Sequence, residues 1–278
     1  VASTMGLEDV IQVIAYTHLE SQIFKDTKNP FLFNTNVAMR YQLSIPNIDI
    51  GTQSKFNQLH LDESSYHLPI PITEPDLLKE HHKPREGILF IGRWEEGKNP
   101  EAYIRVMKEC GLSCKVMTNS TGQKKFEKAF EDAGITDYEI RAGITGREKV
   151  DFVRSASVFF MPSLRENYPF AFLECLGHMP CVVLDNQDWS DNFNEKYFHK
   201  VNVKDAAKTI KAIYGSAQSD EALDYVCDLD NGVAEGWIEF LDNFAGKHSN
   251  TNTAKINSTS KSIERMSVSG ALKYKDFI

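Results

Sequence analysis

The chain has 278 residues, a net charge of −8, 41% hydrophobic residues and 25% charged residues. That length holds one large or two ordinary domains, and the composition is that of a globular protein. The acidic balance gives no support to a broad nucleic-acid-binding surface, and no apolar run approaches the roughly 20 residues needed to span a bilayer.

The first residues do not read as a signal peptide, and a chain opening on Val1 is expected to continue upstream. Cys110, Cys114, Cys175, Cys181 and Cys227 form no Cys-x-x-Cys pair. Their count and apolar neighbours predict reduced, buried thiols in a cytoplasmic protein.

Residues 10–16 read as a buried strand, with Thr17-His18 directly after it. A His in that position either faces a ligand at the carboxyl end of a sheet or serves as a loop or capping residue. Residues 31–33 and 47–51 read as two more short strands, and Ser54-Lys55-Phe56 as the start of a helix. Pro69 to Pro84 is rich in proline and charge, which places an interdomain linker there.

From residue 87 the alternation of strand and helix becomes regular. Strands are expected at 87–91, 113–118, 138–141, 157–161 and 181–184, five in all. Asn99 is the expected N-cap of a helix with Pro100 at its first position, and Ala102, Tyr103, Val106, Met107 and Cys110 form its apolar face. Gly134 stops a second helix that buries Phe126 and Phe130. Thr145 and Glu148 read as a capping box for a third, which carries Val150 and Val153. A helix at 204–215 turns Ala207, Ile210 and Tyr214 inward. Such alternation implies a parallel sheet covered on both faces. Trp237, Phe240, Leu241 and Phe244 recur at helical spacing, and residues 246–262 are Ser-, Thr-, Asn- and Lys-rich, as in a disordered tail.

Two stretches carry candidate chemistry. Gly92-Arg93-Trp94-Glu95-Glu96-Gly97-Lys98 lies between a strand and a helix, where loop amides and the helix start favour an anion. Arg93 can grip phosphate oxygens with two donors, and Lys98 acts as a point charge. Alone, this stretch reads rather as a solvated loop between strand and helix. The second stretch is Arg165-Glu166-Asn167-Tyr168-Pro169-Phe170, followed by a helix containing Glu174. Glu166 falls at the carboxyl end of a strand. Glu174 lies among Phe170, Phe172, Leu173, Cys175 and Leu176, so it needs a buried partner, a role a ligand hydroxyl would fill. The plain alternative is one solvated loop Glu and one helix-surface Glu.

Together these stretches resemble the signature of retaining GT-B glycosyltransferases, the family with glycogen synthase-like and lipopolysaccharide enzymes. Gly92, Arg93 and Lys98 match its Gly-Arg-x4-Lys-Gly motif, with Asn99 in place of the last Gly. Glu166 and Glu174 match its Glu-x7-Glu pair. His178-Met179-Pro180-Cys181 replaces its Gly-x-Pro-Val, and Asn167-Tyr168-Pro169-Phe170 replaces the Gly-Phe-Gly after the first Glu. Pro169 there has no N–H to offer a sugar.

The resemblance implies an α/β GT-B fold. Residues 1–80 would be a partial N-terminal Rossmann-like domain on the acceptor side, and 81–218 a doubly wound domain binding the nucleotide sugar. Helices in 219–245 would cross back or cap their own domain, and 246–278 would be a tail. It implies that Arg93 and Lys98 hold the donor diphosphate, that Glu166 and the groups at Asn167, Tyr168, Pro169 and Phe170 hold the sugar, and that Glu174 binds the ribose. His18 would face the sugar from the other domain. The donor would be a UDP- or GDP-sugar, with no other cofactor and no metal requirement. The acceptor could be a glycan, a lipid or a modified DNA base. Two other readings stay open: a non-catalytic remnant that binds a nucleotide sugar or a partner, and an enzyme that glucosylates viral DNA bases.

Overall fold

The computed structural model describes residues 12–15, 30–34, 49–52, 66–67, 69, 71–72, 74–79, 85–166, 168–185 and 188–248. These fall into two compact units. One draws on residues up to Thr73 and from Asp230 onward, and the other on Glu74–Leu229.

The first unit contains a four-stranded parallel sheet in the order β1 (Gln12–Ala15), β2 (Pro30–Asn34), β3 (Asp49–Thr52) and β4 (Tyr66–His67). In the same unit the Trp237 Nε1–H donates to the Pro69 carbonyl at 2.6 Å. The Ile72 N–H donates to Asp230 Oδ1, also at 2.6 Å.

The second unit is built on a six-stranded sheet. Its strands are β5 (Ile88–Ile91), β6 (Cys114–Thr118), β7 (Tyr138–Ala142), β8 (Val158–Met161), β9 (Cys181–Leu184) and β10 (His199–Val201). All are parallel, in the order β10-β9-β8-β5-β6-β7. The helices between them are α1 (Pro100–Cys110), α2 (Ser120–Ala133), α3 (Gly146–Arg154), α4 (Phe170–Leu176) and α5 (Ala206–Ile213), and α6 (Asp220–His248) follows. β8 and β9 are buried at every position, as a sheet covered on both faces requires. Phe90, Tyr103, Phe126, Phe130 and Phe160 meet in the core. There the Tyr103 hydroxyl is satisfied by donating to the Ile88 carbonyl at 2.7 Å.

The sequence reading differs from this architecture at several points. It counts five strands in the second unit, and the structure adds β10. His199-Lys200-Val201 is too short and polar to show a strand pattern, and only parallel pairing with β9 defines it. Thr145 stands at the N-cap of α3 without a side-chain cap bond, and the Glu74 carboxylate accepts from the Gly146 N–H at the start of the helix at 3.0 Å. Asn99 precedes α1 but also makes no side-chain cap. Helix α6 runs through His248, two residues past the expected start of the tail. The helix expected at Ser54 and the residues after 248 lie outside the described ones.

The strand order reverses at the β5–β8 boundary. β6 and β7 lie to one side of β5, whereas β8, β9 and β10 lie to the other. In open parallel sheets, ligands bind outside the carboxyl ends of strands at such a reversal. The loops after β5 and β8 are the stretches that carry Arg93, Lys98 and Glu166.

Candidate donor site at the strand reversal

Backbone bonds join the two loops before any side chain is considered. The Leu164 N–H donates to the Gly97 carbonyl at 2.7 Å, and the Arg165 N–H donates to the same carbonyl at 3.4 Å. Asn99 adds a side-chain tie, its Nδ2 donating to the Pro162 carbonyl at 3.2 Å. Asn99 has φ 54° and is the non-glycine residue with positive φ among the described ones. This explains why Asn can stand where the matched motif has Gly, since Asn tolerates the left-handed region better than other side chains. Gly92 is constrained by proximity. A Cβ there would come within 3.2 Å of the Phe90 ring and 3.3 Å of Lys98 Cγ.

These ties bring Lys98 and Glu166 together across 68 positions of sequence. Lys98 Nζ donates to Glu166 Oε1 at 2.7 Å and to Oε2 at 2.8 Å. Arg93 projects into solvent with its side chain 68% exposed, and its Nη2 pairs with Glu95 Oε1 at 3.1 Å. Beyond Glu166, Tyr168 packs edge-on against Phe170 with ring centroids 5.1 Å apart, and Pro169 caps α4.

Glu174 is in a different setting. It is the fifth residue of α4 and only 4% exposed. The buried partner its surroundings demanded is in the chain: Lys149 Nζ of α3 donates to Glu174 Oε1 at 2.5 Å. Burial pushes the Glu174 carboxyl above its usual range, Lys149 opposes that shift, and the nearby Glu74 carboxylate adds to it. Sequence reasoning missed Lys149, Glu74 and Glu95. For Lys149 a signal was present. It precedes the buried Val153 by four positions, so it shares the buried face of α3.

His178 is 2% exposed, and its Nε2 lies 2.5 Å from the Leu77 carbonyl. It ties the segment ahead of the sheet to the end of α4. Cys110, Cys114, Cys175 and Cys181 are buried free thiols. Burial raises the Cys110 and Cys114 thiols to about 11 and about 12. His18 and Asn167 lie outside the described residues. Among the described residues, no group of three or more His, Cys, Asp and Glu is placed to hold a metal ion, and no helix is long and apolar enough to cross a membrane.

No family model and no curated protein matches the sequence. Solved structures do match. AviGT4, a glycosyltransferase involved in avilamycin A biosynthesis, aligns at 13% identity and a TM-score of 0.60, over 83% of this chain and 78% of that one. A UDP-forming trehalose-phosphate synthase from Burkholderia xenovorans, solved with glucose-6-phosphate, aligns at 13% identity and 0.64, over 87% and 74%. HepE from Anabaena, solved with UDP and glucose, aligns at 10% identity and 0.50, over 67% and 62%. The chain has the α/β GT-B fold that these glycosyltransferases share.

Proposed function

We propose that this chain is a glycosyltransferase that moves a sugar from a nucleotide-diphosphate sugar to an acceptor, with retention at the anomeric carbon. The observation that carries the reading is the contact between Lys98 and Glu166 at the strand reversal. A donor's sugar and diphosphate are joined through one oxygen. Residues that hold each part must therefore sit within a few ångströms of one another, and these two do.

In this reading Arg93 and Lys98 offset the negative charge that collects on the departing diphosphate when the C–O bond breaks. The two cations take the part a metal ion plays elsewhere, so turnover is expected to be metal-independent. Glu166 and the Tyr168-Pro169-Phe170 segment hold the sugar, Glu174 accepts from the ribose hydroxyls, and His18 completes the sugar side. Retention rests on the resemblance of the Glu166/Glu174 pair to the family motif. The UDP or GDP nucleotide, the absence of any further cofactor and a cytoplasmic setting belong to the same proposal.

The test is a donor screen on the intact chain with UDP- and GDP-sugars, followed by proton NMR of the product's anomeric signal with and without a chelator. Release of nucleoside diphosphate with an unchanged anomer, insensitive to chelator and lost in Glu166→Gln without a covalent sugar adduct, is the expected result. An inverted product, or activity that needs a divalent ion, overturns the mechanism. Nucleotide binding without turnover favours the binding-module reading instead.

A further inference from the structure

We infer that Lys149 is a positioning residue of the nucleoside subsite, its ammonium 2.5 Å from Glu174 Oε1 fixing that carboxylate so that Oε2 accepts from the ribose hydroxyls. This inference rests on the reading that Glu174 holds the ribose.

Three observations lead to it. Lys149 and Glu174 come from the helices that precede and follow β8 in the chain, β8 being a strand at the sheet's reversal, and the two side chains are 15% and 5% exposed. Lys149 is the hydrogen-bond partner of Glu174 among the described residues, and it engages one oxygen of two. The remaining charged neighbour opposes the arrangement. Glu74, held by the Gly146 N–H at the start of α3, adds negative charge close to Glu174.

An ion pair buried this far contributes little net stability, and a well-packed apolar pair commonly replaces one at no cost. Stability alone therefore does not account for a lysine at this position. A carboxylate that must stay ionised in an apolar helix does, because only the ionised form presents two acceptor oxygens. The charged groups facing Glu174 are Lys149 from α3 and Glu74 from the segment before Pro75. Of these, Lys149 alone favours the ionised form. Without it the carboxyl titrates at higher pH, and ribose binding is lost as pH falls through that value.

Calorimetry on the intact chain tests this with UDP, GDP and inorganic pyrophosphate at several pH values between 6 and 8.5. Lys149→Met should weaken the nucleoside diphosphate on the order of tenfold at pH 7, recover part of that loss as pH rises, and leave pyrophosphate binding unchanged. Lys149→Arg should restore the wild-type pH profile. In a Glu174→Gln background, Lys149→Met should add no further loss. Equal weakening of pyrophosphate, or a loss that persists in the Glu174→Gln background, overturns the inference, since Lys149 would then touch the nucleotide itself or support only the fold. If Lys149→Met does not fold, Lys149→Gln carries the same pH comparison, and an unshifted profile overturns the inference. Failure of the underlying reading looks different. Glu174→Gln would bind UDP and GDP as the wild type does, or the wild type would bind neither.

Discussion

The chain holds two lysine–glutamate pairs at its strand reversal, and they differ in everything but their chemistry. Lys98 and Glu166 sit on the loops after β5 and β8, with side chains 23% and 7% exposed and both carboxylate oxygens engaged. Lys149 and Glu174 sit on the helices α3 and α4, with side chains 15% and 5% exposed and one oxygen engaged. The first pair lies on two loops, so it can open and exchange one anion for another; a diphosphate carries at least the charge of the carboxylate it displaces. Opening the second pair would leave charges in an apolar interior. Loop or helix placement thus separates a pair that can yield to a ligand from one that holds a ligand group in place.

The comparison is broken most directly by stability. Glu174→Ala leaves the Lys149 ammonium buried without its partner, and should cost about 3–5 kcal/mol. Glu166→Ala removes a carboxylate that is only 7% exposed, but leaves Lys98 on a loop and 23% exposed, able to turn toward water, and should cost less, about 1–3 kcal/mol. Urea midpoints of the two variants measure the contrast. Equal losses would mean that the two pairs are energetically alike and that loop or helix placement decides nothing.

Ligand binding sharpens it next. Lys98→Ala or Arg93→Ala should weaken pyrophosphate and nucleoside diphosphate by about 1.5–3 kcal/mol each, the range for hydrogen bonds to charged groups. Calorimetry with unchanged affinity in both variants would remove these residues from the donor site.

How much of this could be read in the sequence depended on the range of the interactions. The helices of the second unit follow from local periodicity, as with Phe126 and Phe130 on α2, and Gly134 ends that helix with φ 73° as its position suggested. The two motif stretches could also be located, because each is a contiguous run between a strand and a helix. The pairings across them could not. Nothing near Glu174 in the sequence names Lys149, 25 positions away, and only the packing of α3 beside α4 brings them together. The caps expected at Asn99 and Thr145 are also missing. Asn99 has a left-handed backbone rather than the extended one a cap needs, and its Nδ2 donates to Pro162; Thr145 makes no cap bond, and Glu74 accepts from the Gly146 N–H at the start of that helix. β10 was hidden because an edge strand of three residues has no pattern of its own.

Asn99 offers a smaller and more local test of the first pair. Asn99→Ala keeps a Cβ in a left-handed backbone while losing the tie to Pro162, and should cost about 1–2 kcal/mol. Asn99→Gly relieves the backbone and loses only the tie. If the tie matters for bringing Lys98 to Glu166, both variants should weaken pyrophosphate binding. If only Asn99→Ala does so, backbone geometry alone sets the distance.

The smallest effect is expected at Glu95, and its sign is informative. Glu95 pairs with Arg93 at 3.1 Å, with the two side chains 40% and 68% exposed. A pair so solvated is worth about 0.2–1 kcal/mol, far less than a charged contact to a diphosphate. Glu95 then acts as a weak internal competitor for Arg93, as Glu166 does for Lys98. Glu95→Gln should strengthen pyrophosphate binding by no more than about fivefold, and the gain should shrink as salt screens the exposed charges. A loss of affinity instead would mean that Glu95 holds Arg93 in its working orientation. The first loop would then share the holding role that its place between two helices gives Lys149, and the division between a yielding pair and a holding pair would fail at the loop end.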